Sequence, residues 1–113
     1  MPQVGIIPQG SEIGFYFDTE VFHSTTNAVL TSALDLPGRG RASIILPQNP
    51  ANEPHFLKVT VDGIVVINDR ELGWDAKVSN FIGVFDFYSS ILVEHRNAGG
   101  VNAVRVLICY VIL

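Results

Sequence analysis

Cysteine is all but missing: the 113-residue chain has one, Cys109. No intramolecular disulfide can form, so neither a cysteine-rich zinc site nor a disulfide-stapled secreted scaffold is open to it. Charge is scarce as well. Lys and Arg total 7 against 11 Asp and Glu, a net charge of −4 with only 16% of residues charged. A mildly acidic chain of pI 5.1 lacks the clustered Lys and Arg on which sequence-independent nucleic-acid binding rests. Long apolar runs are absent too. The longest, Val106 to Leu113, falls far short of the ~20 residues of a membrane helix. Met1 to Gly10 has neither the basic nor the long apolar region of a signal peptide. The chain reads as soluble and made in a reducing cytoplasm.

What is abundant is apolarity. Hydrophobic residues make up 48% of the chain and the mean hydropathy is +0.34, which excludes intrinsic disorder. The length suits one domain, 1–113, with 1–10 as an extended N-terminal arm. A domain of this size hides only ~65% of the surface its unfolded chain exposes. Some of the apolar side chains must therefore stay outside, and large exposed patches mark partner contacts.

Period-two alternation dominates, the signature of half-buried strands. Glu12–Asp18 alternates Ile13, Phe15 and Phe17 with polar or small residues, and Phe81–Tyr88 sets Phe81, Phe85 and Phe87 on one face. In Phe56–Ile67 two β-branched runs flank Asp62-Gly63, a dipeptide suited to a type I′ hairpin turn because both positions need positive φ. Ser90–Arg96 and Val101–Leu113, joined by Asn97-Ala98-Gly99-Gly100, read as a second hairpin. Ala42–Leu46 and the shorter Val4–Ile7 are further strands, both bounded by proline. Ser24–Leu36 fits either an amphipathic helix stopped by Pro37-Gly38 or, as the surrounding alternation favours, a strand over Ala28–Leu36 turning at Gly38-Arg39-Gly40 into Ala42–Leu46. About eight strands with regular turn signals predict an all-β fold, an antiparallel β-sandwich or jelly roll. The proline-punctuated segment Pro47–His55 is its one long loop.

Catalytic chemistry finds no frame. His23, His55 and His95 share no ligand spacing, and read as structural or surface histidines. Ser89, Ser90 and Cys109 lack a nucleophile motif, Cys109 being an inert thiol within an apolar strand. The acids Asp62, Asp69, Asp75, Asp86 and Glu94 have no fixed separation. The expectation is no enzyme, no cofactor and no metal. Gly38-Arg39-Gly40-Arg41 is the one basic cluster, a tight turn with arginines in solvent or in an ion pair with an assembly neighbour. A possible ligand patch joins the oxygen donors Asn68, Asp69, Glu71 and Asp75 to the only tryptophan, Trp74, as in sugar-stacking sites. The last strand is apolar on both faces, Val106, Ile108, Tyr110 and Ile112 against Leu107, Cys109, Val111 and Leu113. One of those faces needs a cover. Val106, Ile108, Tyr110 and Ile112, with Val4, Ile6 and Ile7 of the arm, are the expected subunit contacts.

In the order of Leu34–Leu46 (LDLPGRGRASIIL), Phe56–Ile67 (FLKVTVDGIVVI), Phe87–Asn97 (FYSSILVEHRN) and Leu107–Leu113 (LICYVIL), the chain resembles small β-structured virion proteins of tailed bacteriophages: capsid decoration (cement) proteins and tail-associated sandwich modules. That resemblance implies a non-enzymatic role in the virion after synthesis in the host cytoplasm. It also implies a homo-oligomer, with a trimer favoured, in contact with the major capsid protein or another virion protein. The alternative is a glycan-binding module, lectin-like or at a tail tip.

Overall fold

The alternating stretches become eight strands. A computed structural model describes residues 17–47, 53–72, 79–99 and 101–113. Within them run β1 (Thr19–Thr25), β2 (Thr31–Pro37), β3 (Gly40–Leu46), β4 (His55–Val61), β5 (Ile64–Glu71), β6 (Asn80–Phe87), β7 (Ser90–Asn97) and β8 (Val104–Ile112). They form two four-stranded antiparallel sheets, in the orders β1-β8-β3-β6 and β2-β7-β4-β5. Only β4 and β5 are consecutive strands paired in one sheet. Every other connection crosses from sheet to sheet, which makes the sandwich a jelly roll.

Several segments differ from the sequence reading. Residues 24–36 hold no helix. Strand β2 takes the second half, and the Gly38-Arg39 turn carries the chain into the opposite sheet instead of closing a hairpin. The expected second hairpin is likewise a crossing, because β7 pairs with β2 and β4 while β8 pairs with β1 and β3. Strand β1 falls where none was expected, and Phe17 and Asp18 precede it. His55 opens β4 and does not belong to the preceding loop. The Val4–Ile7 strand, the 1–10 arm, residues 12–16 and most of the Pro47–His55 loop lie outside the described residues.

Inward parity builds the core. Ala42, Ile44 and Leu46 of β3 meet Leu57 and Val59 of β4, Phe87 of β6, Ile91 and Val93 of β7, and Val106 and Ile108 of β8, all essentially without solvent contact. Each such aliphatic side chain contributes roughly 1.5–3 kcal/mol relative to an exposed one. Strand β6 breaks its own parity. Ile44 pairs with Gly83 but Ile45 with Phe81, so Ile82 is the extra residue of a bulge. Ile82 and Phe85 therefore pack on the core while Phe81 is 65% exposed. The period-two placement of Phe81 beside Phe85 and Phe87 is corrected by that one residue.

Crossing turns cannot borrow a hairpin's ladder, and each end of the sandwich has its own polar stitching. At one end Asp62 and Gly63 adopt φ of 53° and 80°, the expected tight turn. The Asp62 carboxylate accepts from the backbone N–H groups of Tyr88, Ser89 and Ser90 at 2.7–3.1 Å, and Gly38 N donates to Ser89 O. Those bonds, chiefly the one from Ser89, hold the carboxyl below the usual range. At the other end buried Asn97 donates to Glu53 and to Asn102 O, accepts from Gly99 N, and passes its backbone N–H to Asn27 O. These bonds hold the chain after Asn97 where it leaves one sheet for the other.

Gly40 is present for space. A Cβ there would meet Val111 O inside contact distance and Phe87 Cζ at 2.7 Å, whereas at Gly83 its nearest contacts are ordinary ones of 3.4 Å. Gly40→Ala is expected to lower unfolding free energy by about 1–3 kcal/mol in chemical denaturation, and Gly83→Ala by much less. Equal effects would remove the steric explanation.

Candidate functional site

Part of the surplus apolar surface collects along one flank. Strands β5 and β6 are edge strands of opposite sheets. In β5, Ile64 pairs with Val61 and Val65 with Thr60, while Ile67 reaches across to Val59, leaving Val66 as an extra residue. Ile64 is 67% exposed and Val65 and Val66 44% and 50%. Between the two edges lies a cleft of about 340 Å³ lined by Ile67, Arg70, Leu72, Asn80, Phe81 and Ile82. Phe81 also begins a row over the outer face of the first sheet: Phe81, Ile45, Leu107 and Phe22 are successive cross-strand partners. The two phenylalanines at its ends are exposed and the aliphatics between them half-buried. Edge, cleft and row meet at Phe81.

The terminal strand takes a different part from the one expected. Val106 and Ile108 are wholly buried in the chain's own core and Tyr110 packs against it, so inward parity uses them up and Val106 and Ile108 present nothing to a neighbour. Only Ile112, at 45%, is exposed among the four. It is the outward set, Leu107, Cys109 and Val111, that stays half-buried on the sheet surface. Cys109 is thus a half-buried thiol and not a core one. Val4, Ile6 and Ile7 lie outside the described residues.

Of the ligand patch, the structure describes Asn68, Asp69 and Glu71. Trp74 and Asp75 lie outside the described residues. Asp69 sits at φ 50° in the irregular stretch of β5 and accepts two bonds from Arg96, at 2.8 and 3.0 Å. That pairing holds its carboxyl below the usual range. The Arg96 guanidinium in turn lies 4.0 Å over the Phe56 ring. Asn68 and Glu71 remain exposed. The basic turn is engaged within the chain: Arg41 forms a two-pronged ion pair with Asp86 across β3 and β6, and Arg39 lies over Tyr88. Of the acids weighed for catalysis, Asp62, Asp69 and Asp86 each have such a fixed partner.

What sequence spacing hid is a line of three histidines. His23 of β1, His95 of β7 and His55 of β4 are 72 and 40 residues apart. Even so, His23 Nδ1 is 2.7 Å from His95 Nε2, and His95 Nδ1 is 2.9 Å from His55 Nε2. His55 and His95 are completely buried. Burial pushes His55 down to about 4, and burial with the two neighbouring rings pushes His95 down to about 3. Among the described residues His55 Nδ1 has no hydrogen-bond partner. The usable signal was parity, since His55 and His95 occupy inward positions beside Leu57 and Val93. The rings stand in file and do not converge: among the described residues no group of His, Cys, Asp or Glu is arranged to hold a metal ion.

Fold and exposed edges together define a jelly-roll sandwich with an open apolar flank. Compared with family models, with curated proteins and with solved structures, the chain shows no match in any of the three.

Arg96 joins a forked ion pair to a ring stack, a role that a lysine's point charge fills poorly. Arg96→Lys is expected to cost about 0.5–1 kcal/mol, and less once Asp69 is already Asn. Additive effects in the double-mutant cycle would show that the pair contributes nothing.

Proposed function

We propose that this protein is a non-enzymatic structural component of a virion, a capsid decoration (cement) protein that self-associates and braces neighbouring shell subunits. The observation that carries the reading is exposed apolar surface on two neighbouring edges: Ile64–Val66 of β5, and the row that runs from Phe81, at the cleft, through Ile45 and Leu107 to Phe22. An edge of this kind is a ready template for pairing with another chain, and specific interfaces bury roughly 1,200–2,000 Å². Jelly rolls serve in viral capsid domains, which agrees with the resemblance of the four sequence stretches. A homotrimer is the favoured assembly and the major capsid protein the favoured partner. Val66→Asp combined with Phe81→Asp is expected to shift the protein from oligomer to monomer in light-scattering mass measurements and to abolish binding to capsids. A wild-type protein that stays monomeric at high concentration and ignores capsids overturns the proposal.

A glycan-binding reading has its own observation. Phe81 stands exposed at the cleft beside Arg70 and Asn80, an aromatic platform with polar partners. Jelly rolls also occur in lectin domains. If it holds, Phe81→Ala abolishes the retention of sugars on a glycan panel while the fold persists. A panel without response removes it.

A further inference from the structure

Strand β1 is bound to the opposite sheet mainly through polar groups. It turns Val21, His23 and Thr25 inward; Val21 packs on the core, His23 meets His95, and Thr25 Oγ1 donates to Thr31 Oγ1 at 3.5 Å. The remaining strands of its sheet each carry wholly buried apolar side chains: Ala42, Ile44 and Leu46 of β3, Phe87 of β6, and Val104, Val106 and Ile108 of β8. The histidine line is therefore the principal tie between β1 and the sheet of β7 and β4.

Hydrogen counting fixes what that line tolerates. Two nitrogen-to-nitrogen contacts need one hydrogen each, and three neutral rings carry three hydrogens. The favourable arrangement has every ring protonated at Nε2: His55 donates to His95, His95 donates to His23, and His55 Nδ1 keeps a bare lone pair. The reverse arrangement buries an unpaired N–H, the rarer condition in folded proteins. One added proton satisfies both contacts but forces a hydrogen onto His55 Nδ1, which has no acceptor. A second added proton sets two N–H groups against each other in one of the contacts.

Among the described residues no charged group on the packed strands turns toward the rings. By register the cross-strand partners of the rings are Val106, Thr31, Leu57 and Asn97, with Thr25, Val93 and Val104 at adjoining inward positions, and none of these titrates. Glu94 and Arg96 alternate to the outer face on either side of His95, as do Lys58 on β4, Glu20 on β1 and Arg105 on β8. Glu53 is turned to Asn97 and Asn102.

We propose that the His23–His95–His55 line is an acid-sensitive clasp between the two sheets, which holds β1 in place near neutrality and releases it on acidification. The sign follows from the buried rings. Their affinity for protons is depressed on folding, so the unfolded or opened state binds more protons at mildly acidic pH. The stability they contribute is complete above the ordinary histidine value and is lost as pH falls through it toward about 4 and about 3. This inference does not depend on the assembly reading.

The test is denaturant unfolding of the full chain between about pH 6.5 and about pH 5, above the range where carboxylates titrate. The unfolding constant of the wild type is expected to rise by up to about 10-fold per pH unit for each buried ring, about 100-fold for the two. His95→Gln, which can bridge both neighbours without titrating, removes about 10-fold of that slope. Hydrogen exchange on the wild type, corrected for intrinsic rates, is expected to expose the β1 amides on acidification before those of β3 and β7. Equal slopes for the wild type and His95→Gln overturn the clasp. So does loss of protection in β1 and β3 together, and that measurement decides the matter if His95→Gln fails to fold.

Discussion

Among the eight described strands, six of the seven connections cross from one sheet to the other, and this constraint shapes the rest of the molecule. A hairpin turn is held by the ladder on either side of it. A crossing turn leaves one ladder and enters another, so its polar groups need partners of their own. Here they are supplied by a few side chains placed where several crossings meet. Asp62, at the tip of the one true hairpin, gathers the N–H groups of the β6–β7 turn. Asn97 and Glu53 gather the loops at the opposite end. The crossings also put His23 in a different sheet from His55 and His95, so that the line of rings spans the interior.

Strand existence was legible in the sequence and strand partnership was not. Alternation, β-branched runs and turn residues located β3, β4, β5, β6, β7 and β8, and the Asp62-Gly63 dipeptide fixed the one hairpin among the described residues. Turn chemistry at Gly38-Arg39 and at Asn97–Gly99 looks the same whether the chain folds back or crosses a sandwich, because glycine and asparagine serve both geometries. What tells them apart is long-range pairing, which local composition does not carry. Strand β1 escaped notice because its inward positions include His23 and Thr25, so the apolar half of the alternation is mostly missing. Phe81 was misplaced for a simpler reason: the bulge at Ile82 inverts parity, and Gly83 beside it was the only sign.

The candidate site divides along the same line. An excess of apolar residues was visible in composition alone, but composition has no address. Assigning the excess to Val106 and Ile108 failed because a terminal strand at the centre of a sheet, between β1 and β3, has its inward side taken by the core. The histidines show the converse. Their sequence separation argued against a cluster, yet His55 and His95 stand at inward parity in strands whose other inward residues are aliphatic. A polar side chain that is buried by parity must find a partner across the core, and in this chain the partners available were each other.

Edge chemistry gives the apolar flank its direction. Proteins blunt exposed sheet edges with charge, proline, bulges or short strands. Edge strand β2 follows that practice, with Ser32, Asp35 and Pro37 turned to solvent. Strand β5 follows it only in its second half, where Asn68, Arg70 and Glu71 are exposed and Asp69 is drawn over Phe56 to Arg96. Its first half, Ile64–Val66, carries no charge, and Phe81 of the other edge stands farther along, at the cleft with Ile67, Arg70 and Leu72. An edge charged over one half and apolar over the other favours pairing in one register, since sliding would set the charges of Arg70 and Glu71 against apolar side chains. The same residues that keep the second half of β5 in water therefore orient whatever docks on the first.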